Sequence, residues 1–211
     1  FCYDVSINLQ LTDYTPKGTD KWSVIDARNR SDFESFTVAG YDPLDTTKLL
    51  VLAHNGRNTQ GLWSFDPQEN EFTELIYGRS DGDVVAVRMH SNSYTEPDLI
   101  TGVAFYDGRK RKFEWFDGQE KAIYEQLESL IPFADRFRIV DRSRDGNTMI
   151  IENSGPRDPG TFYLLKNSEL NVVGSAKPAI ASKNLADVKA ITYESSDGMK
   201  IKGFVTIPNS E

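Results

Sequence analysis

A serine, a histidine loop and two matched arginines are the places where this sequence could carry chemistry. Residues 78–82, GRSDG, fit the G-x-S-x-G pattern, in which a strand-to-helix turn lifts a serine over an oxyanion hole. That chemistry needs a helix directly after Ser80, then an acid and a histidine further along the chain. The residues that follow, DVVAVRMH over 83–90, alternate as a strand does, and His90 is the only histidine beyond Ser80. Ser80 is therefore assigned to a turn between strands, and no catalytic residue is expected in the chain.

The loop HNGRNTQ, residues 54–60, holds His54 and Arg57, and a second loop one hundred positions later holds Arg157. A planar guanidinium can grip a peptide carboxylate through two parallel hydrogen bonds, so His54, Arg57 and Arg157 are the substrate-binding candidates. A structural ion pair or a solvated loop tip explains each arginine more simply. The basic run at 109–112, RKRK, lies beside Asp107 and Glu114 and reads as a solvated hairpin tip. No cofactor or metal site is expected: there is no Gly-rich phosphate loop, no metal-ligand spacing and no EF-hand pattern.

The elements that would position these residues form a repeat. Residues 45–66, DTTKLLVLAHNGRNTQGLWSFD, align without a gap with residues 145–166, DGNTMIIENSGPRDPGTFYLLK. Leu49, Leu50 and Val51 meet Met149, Ile150 and Ile151; Arg57 meets Arg157; Trp63 and Phe65 meet Tyr163 and Leu165. Trp22, Trp63, Trp115 and Tyr163 mark equivalent positions at intervals of 41, 52 and 48, and Trp63, Trp115 and Tyr163 are read as core aromatics rather than a ligand-stacking ladder.

Short apolar runs separated by Gly, Pro, Asn and Asp clusters predict antiparallel strands in successive units near 1–28, 33–78, 83–131 and 136–175. Phe33, Phe36 and Val38 open the second unit. The first holds the alternating Val5, Ile7, Leu9 and Leu11 and then the turn-rich TPKGTD. In QEKAIYEQLESLI, residues 119–131, the period changes to that of a helix, with Ile123, Leu127 and Leu130-Ile131 about a turn apart and Pro132 ending it. Four-stranded units of 40–50 residues indicate propeller blades, so the fold class is all-β: three to four blades of a partial propeller with one inserted helix. Residues 181–190 read as a linker. ITYESSDGMKIKGFVTIP then forms a hairpin around Asp197-Gly198.

Composition narrows the partners. The 211 residues carry 24 basic and 32 acidic side chains, a net charge of −8, which argues against a nucleic-acid grip. One cysteine, Cys2, excludes an internal disulfide framework. No apolar run approaches the roughly 18 residues of a membrane span, so no membrane partner is expected. The compartment stays open between cytoplasm and periplasm. The chain does not open with Met, as a processed product or an excised piece would not. Open blade edges would favour self-association of such a piece.

The order DRFRIVDRSRD (135–145), PRDPGTFYLL, KPAI and the final DG hairpin ending at Pro208 resembles the prolyl oligopeptidase family of serine peptidases. Its acylaminoacyl-peptidase and dipeptidyl-peptidase-like members are the nearest in look. In that family a β-propeller precedes an α/β-hydrolase domain that holds the catalytic serine, aspartate and histidine. The resemblance implies that residues 1–180 are propeller and that 181–211 are a linker with the first hairpin of the hydrolase domain. It further implies that the rest of that domain is a partner outside this chain, and that peptides are substrates of the parent enzyme. The reading from a different class is a stand-alone propeller that binds protein or peptide partners.

Overall fold

The computed structural model describes residues 2–4, 9–15, 20–29, 36–96 and 99–208. Val5, Ile7, Phe33 and most of the TPKGTD turn lie outside these residues. The chain divides into two compact units, Phe1–Met89 with Asp98–Phe105, and His90–Pro97 with Tyr106–Glu211.

In the first unit β1 (Cys2–Asp4), β2 (Leu9–Tyr14) and β3 (Ser23–Asn29) form one antiparallel sheet. β4 (Thr37–Tyr41), β5 (Leu49–Ala53), β6 (Gly61–Asp66) and β7 (Glu71–Tyr77) form a second, each strand beside the next in sequence. β8 (Val84–Met89) pairs with β9 (Ile100–Asp107), and the unit boundary falls inside β9 after Phe105.

β5 is the axis of this unit. Its sequence LLVLA has no polar side chain, and all five residues are buried. Successive residues of a strand point to opposite faces, so a strand covered on both sides needs an unbroken apolar run. Leu49, Val51 and Ala53 enter one cluster with Ile25, Phe36 and Phe65. Leu50 and Leu52 enter another with Leu62, Val84, Ile100 and Val103. Each fully buried Leu or Val side chain contributes about 2 kcal/mol relative to exposure. The Phe65 and Phe72 rings meet edge-on at 5.3 Å, and Phe36 lies 4.8 Å from Phe65. One polar pair is enclosed: the Ser64 hydroxyl donates to Asp42 Oδ2 at 3.1 Å.

In the second unit β9 turns at Gly108, whose φ of 58° suits glycine, into β10 (Lys110–Trp115). Of the basic run, Arg109 shares the turn with Gly108, as a hairpin tip would, while residues 110–112 already belong to the strand. In the first unit β1–β3 form a three-stranded sheet and β4–β7 a four-stranded one. After β10 the chain enters α1 (Gly118–Leu130), where the Asp117 carboxylate accepts the amides of Gln119 and Glu120 at 2.8 Å each. Leu127 of α1 and Ile131 beyond it are buried against Phe137, Met149, Ile151 and Tyr163, whereas Leu130 faces solvent.

β11 (Arg136–Arg142), β12 (Thr148–Gly155), β13 (Asp158–Lys166) and β14 (Glu169–Ser175) form another four-stranded sheet. A 3-10 turn at Ser182–Asn184 leads to the hairpin of β15 (Val188–Glu194) and β16 (Lys200–Thr206), closed at Gly198 with φ 83°. The hundred-residue repeat appears in the pairing itself. Val51 faces Trp63 as Ile151 faces Tyr163, and Leu49 faces Phe65 as Met149 faces Leu165. Trp63 and Tyr163 join their cores, Trp115 is half-buried against Phe113 and Tyr124, and Trp22, just before β3, is 65% exposed.

Candidate functional site

The structure gives the candidate arginines protein partners. Arg57 Nη2 donates to the carbonyl of Arg79 at 3.0 Å. A Cβ at Gly78 would come within 3.0 Å of that nitrogen, so the absence of a side chain there makes room for the guanidinium. The rest of the loop grips the same connector. The Thr59 hydroxyl donates to the Arg79 carbonyl, the Gln60 amide to Asp83 Oδ1 at 2.8 Å, and the Gln60 side chain to the Val84 carbonyl at 2.8 Å. His54 is half-buried at the head of this loop, where its carbonyl accepts the Arg57 amide at 3.0 Å.

Residues 78–82 are therefore a connector from β7 to β8. Arg79 pairs with Asp81 at 2.6 Å and lies 3.9 Å over the Phe105 ring. Ser80 is exposed on a bend, and a strand follows it instead of the helix a nucleophile elbow requires.

Arg157 belongs to the other unit. Its Nη1 lies 3.5 Å from Asp187 Oδ2, and its guanidinium sits 4.7 Å over Phe133. Next to it, Asp158 is buried and closes the turn on itself. Its carboxylate accepts the Gly160 amide at 2.9 Å, the Thr161 hydroxyl at 2.8 Å and the Asn153 side chain at 2.6 Å. Burial, followed by the Asp158 charge, raises the Tyr163 phenol above its usual range. These contacts give each arginine a partner in its own unit, His54 and Arg57 lying in the first and Arg157 in the second.

The most concentrated polar group is one the sequence did not advertise. Glu120 in the first turn of α1 is 3% exposed. It accepts the Ser91 amide at 2.9 Å and the Ser91 hydroxyl at 2.8 Å, with His90 Nε2 at 3.5 Å and Arg142 Nη1 at 3.3 Å. Arg142 also donates to the Ser91 hydroxyl at 2.7 Å. Asn92, buried beside it, donates to the carbonyls of Ser143 and Arg144 at 3.2 and 3.0 Å. The group has a serine, a histidine and a carboxylate, but the Ser91 hydroxyl donates to Glu120 and is held by Arg142 rather than activated by the imidazole. It ties the 90–96 loop to α1 and to the turn after β11. Its three segments, at 90–92, 120 and 142–144, lie about 20–50 residues apart in the chain, so no local pattern announces it. Among the described residues no group of three or more His, Cys, Asp or Glu side chains is placed to hold a metal.

No protein-family model and no curated protein sequence matches the chain. Solved structures do. A prolyl endopeptidase matches at 11% identity and TM-score 0.56, covering 94% of this chain and 27% of that one. Prolyl oligopeptidase B from Galerina marginata matches at 13% identity and TM-score 0.53, over 87% and 24%. Oligopeptidase B from Leishmania major matches at 14% identity and TM-score 0.50, over 92% and 28%. The chain spans about a quarter of the length of these structures. Its fold is that of part of an all-β propeller of the prolyl oligopeptidase type.

Proposed function

We propose that this chain is the non-catalytic propeller portion of a serine oligopeptidase, gating access of short peptides to a hydrolase domain that carries the triad. The likeness of nearly the whole chain to about a quarter of a prolyl endopeptidase is the observation that carries this reading. The connector geometry around Ser80 agrees with it, since the one serine in a nucleophile-like motif precedes a strand.

On this reading residues 1–180 supply blades, and the hairpin of 181–211 opens the hydrolase domain. The hairpin has the surface of an element that packs on something further. Ile191, Tyr193 and Phe204 are 42, 51 and 59% exposed, and a two-stranded hairpin alone is marginal in water. Acylaminoacyl-peptidase-like specificity follows the resemblance of the KPAI and DG-hairpin segments. The chain alone should not turn over a fluorogenic acyl-aminoacyl or aminoacyl substrate; serine-directed hydrolysis that Ser80→Ala abolishes would overturn the reading. The gene beyond Glu211 separates it from a free-standing binding propeller. About two hundred further residues with a nucleophile elbow, an aspartate and a histidine support the peptidase, and a stop codon supports the binding module.

A further inference from the structure

A cleft of about 220 Å³ opens in the second unit between β10 and α1. Along β10 the half-buried residues are Arg111, Phe113 and Trp115, while Lys110, Lys112 and Glu114 are exposed. Tyr124 of α1 closes on them, 4.8 Å from Phe113 and 5.3 Å from Trp115 between ring centroids. One guanidinium and two rings thus stand at every second residue of a strand, about 6.7 Å apart, which is the side-chain spacing of an extended peptide.

Charge in the cleft is unevenly compensated. Asp135 is taken by Arg109 at 2.7 Å, and Glu125 by Lys121 at 3.8 Å. Lys110, Arg111 and Lys112 form no ion pair among the described residues, and Arg111 Nε is buried without a hydrogen-bond acceptor. The Nε atoms of Arg57 and Arg157 are buried in the same way, so the charge and ring setting distinguishes Arg111, whose guanidinium lies 5.8 Å over the Phe113 ring. In a chain of net charge −8, this is a local excess of cations beside aromatic faces.

We propose that the β10–α1 cleft binds an extended acidic peptide segment. One carboxylate meets the Arg111 guanidinium, and a neighbouring apolar side chain lies against Phe113, Trp115 and Tyr124. The cleft is smaller than the roughly 300 Å³ at which small-molecule pockets begin, so it suits one or two side chains of a peptide rather than a cofactor. Glu125, Glu128 and Asp135 line the same cleft, and with Glu125 and Asp135 already paired it has room for one added carboxylate rather than a run of phosphates. The site stands independently of the peptidase reading, because it uses residues of one unit only and no catalytic group.

The test is fluorescence anisotropy of the chain with a labelled hexapeptide of alternating Glu and Phe. The same peptide with Gln for Glu, and a ten-nucleotide oligothymidylate, serve as comparisons. Saturable binding of the Glu peptide is expected, about tenfold tighter than the Gln peptide. Arg111→Gln should weaken it by a similar factor, and Arg111→Lys should weaken it too, since an ammonium lacks the planar fork. No saturation into the millimolar range, equal binding of the Gln peptide, or tighter binding of the oligonucleotide would each overturn the proposal. The peptide comparison needs no protein variant, so a misfolded Arg111→Gln chain leaves it decisive.

Discussion

β5–β6 and β12–β13 are two copies of one strand pair, equal in register and opposite in surroundings. β5 is buried along its whole length, whereas β12 alternates buried and half-exposed residues, with Met149, Ile151 and Asn153 inward. On the other face of β12 Glu152 pairs with Arg138 at 2.7 Å, which a core-facing position would not tolerate cheaply. The loops diverge as well. HNGRNTQ reaches out to hold the connector at 78–84, while the tighter turn at Asp158 folds back on its own strand ends. Position 42 is an aspartate hydrogen-bonded to Ser64, and its counterpart at 142 is an arginine bonded to Glu120 and Ser91. The shared part is backbone pairing; the burial of each face is set by whatever packs against it.

The largest effect should come from placing the same charge at matched positions. Leu50→Lys puts an ammonium into the core of the first unit and should cost more than about 4 kcal/mol, enough to unfold it. Ile150→Lys, on the half-exposed face, should cost about 1 kcal/mol. Urea titrations that gave equal losses would break the contrast in burial. Next in size, Glu120→Ala leaves Arg142 largely buried without its carboxylate and should cost about 3 kcal/mol, seen as a lower midpoint for the second unit. Ser64→Ala, which removes the corresponding partner of Asp42, should cost about 1 kcal/mol.

Arg57→Ala should cost about 1.5 kcal/mol, since it strips the connector of a charged donor, and Arg157→Ala less than about 1 kcal/mol because Asp187 is exposed. A drop of the same size for both would mean that the two arginines play equal parts.

The smallest effect separates the two turns by pH. Hydrogen bonds from the Thr47 hydroxyl and then the Thr47 amide, with Lys48 adding attraction, hold the Asp45 carboxyl below its usual range. The Ser143 hydroxyl, then the Asn147 amide, do the same for Asp145. The hydroxyl contacts are 2.6 Å in both turns. Folding favours the charged forms, so their stabilisation is complete above the ordinary value near pH 4 and fades as pH falls through the depressed one. Carboxyl NMR titrations should show both midpoints below about 3.9, with Thr47→Ala raising only the first and Ser143→Ala only the second.

Much of this was readable in the residues. LLVLA against MIIEN already distinguishes a strand covered on two faces from one covered on one, since only the second admits Glu152. The helix was legible from its period and came within one residue at each end, with Asp117 as its cap. The DG hairpin was legible because Gly198 alone accepts the turn it makes. Other features depend on distant partners. Glu120 looks like any first-turn acid until Ser91 and Arg142 arrive from both sides in sequence. Trp22 matches the spacing of the other aromatics, but its side chain is largely exposed. Arg111 reads as a solvated tip unless Gly108 is seen to turn the chain first. Sequence periodicity reports which face a strand buries; it is silent about which side chain crosses to fill a neighbour's hydrogen bonds.

Amide hydrogen exchange across both copies tests the shared register most directly. The slowly exchanging amides of β5 and β6 should recur one hundred positions later in β12 and β13, with residues 54–60 exchanging faster than the strands they join. A one-residue slip reverses which face every side chain meets. A protected pattern displaced by one residue between the copies would contradict the repeat on which the fold assignment rests.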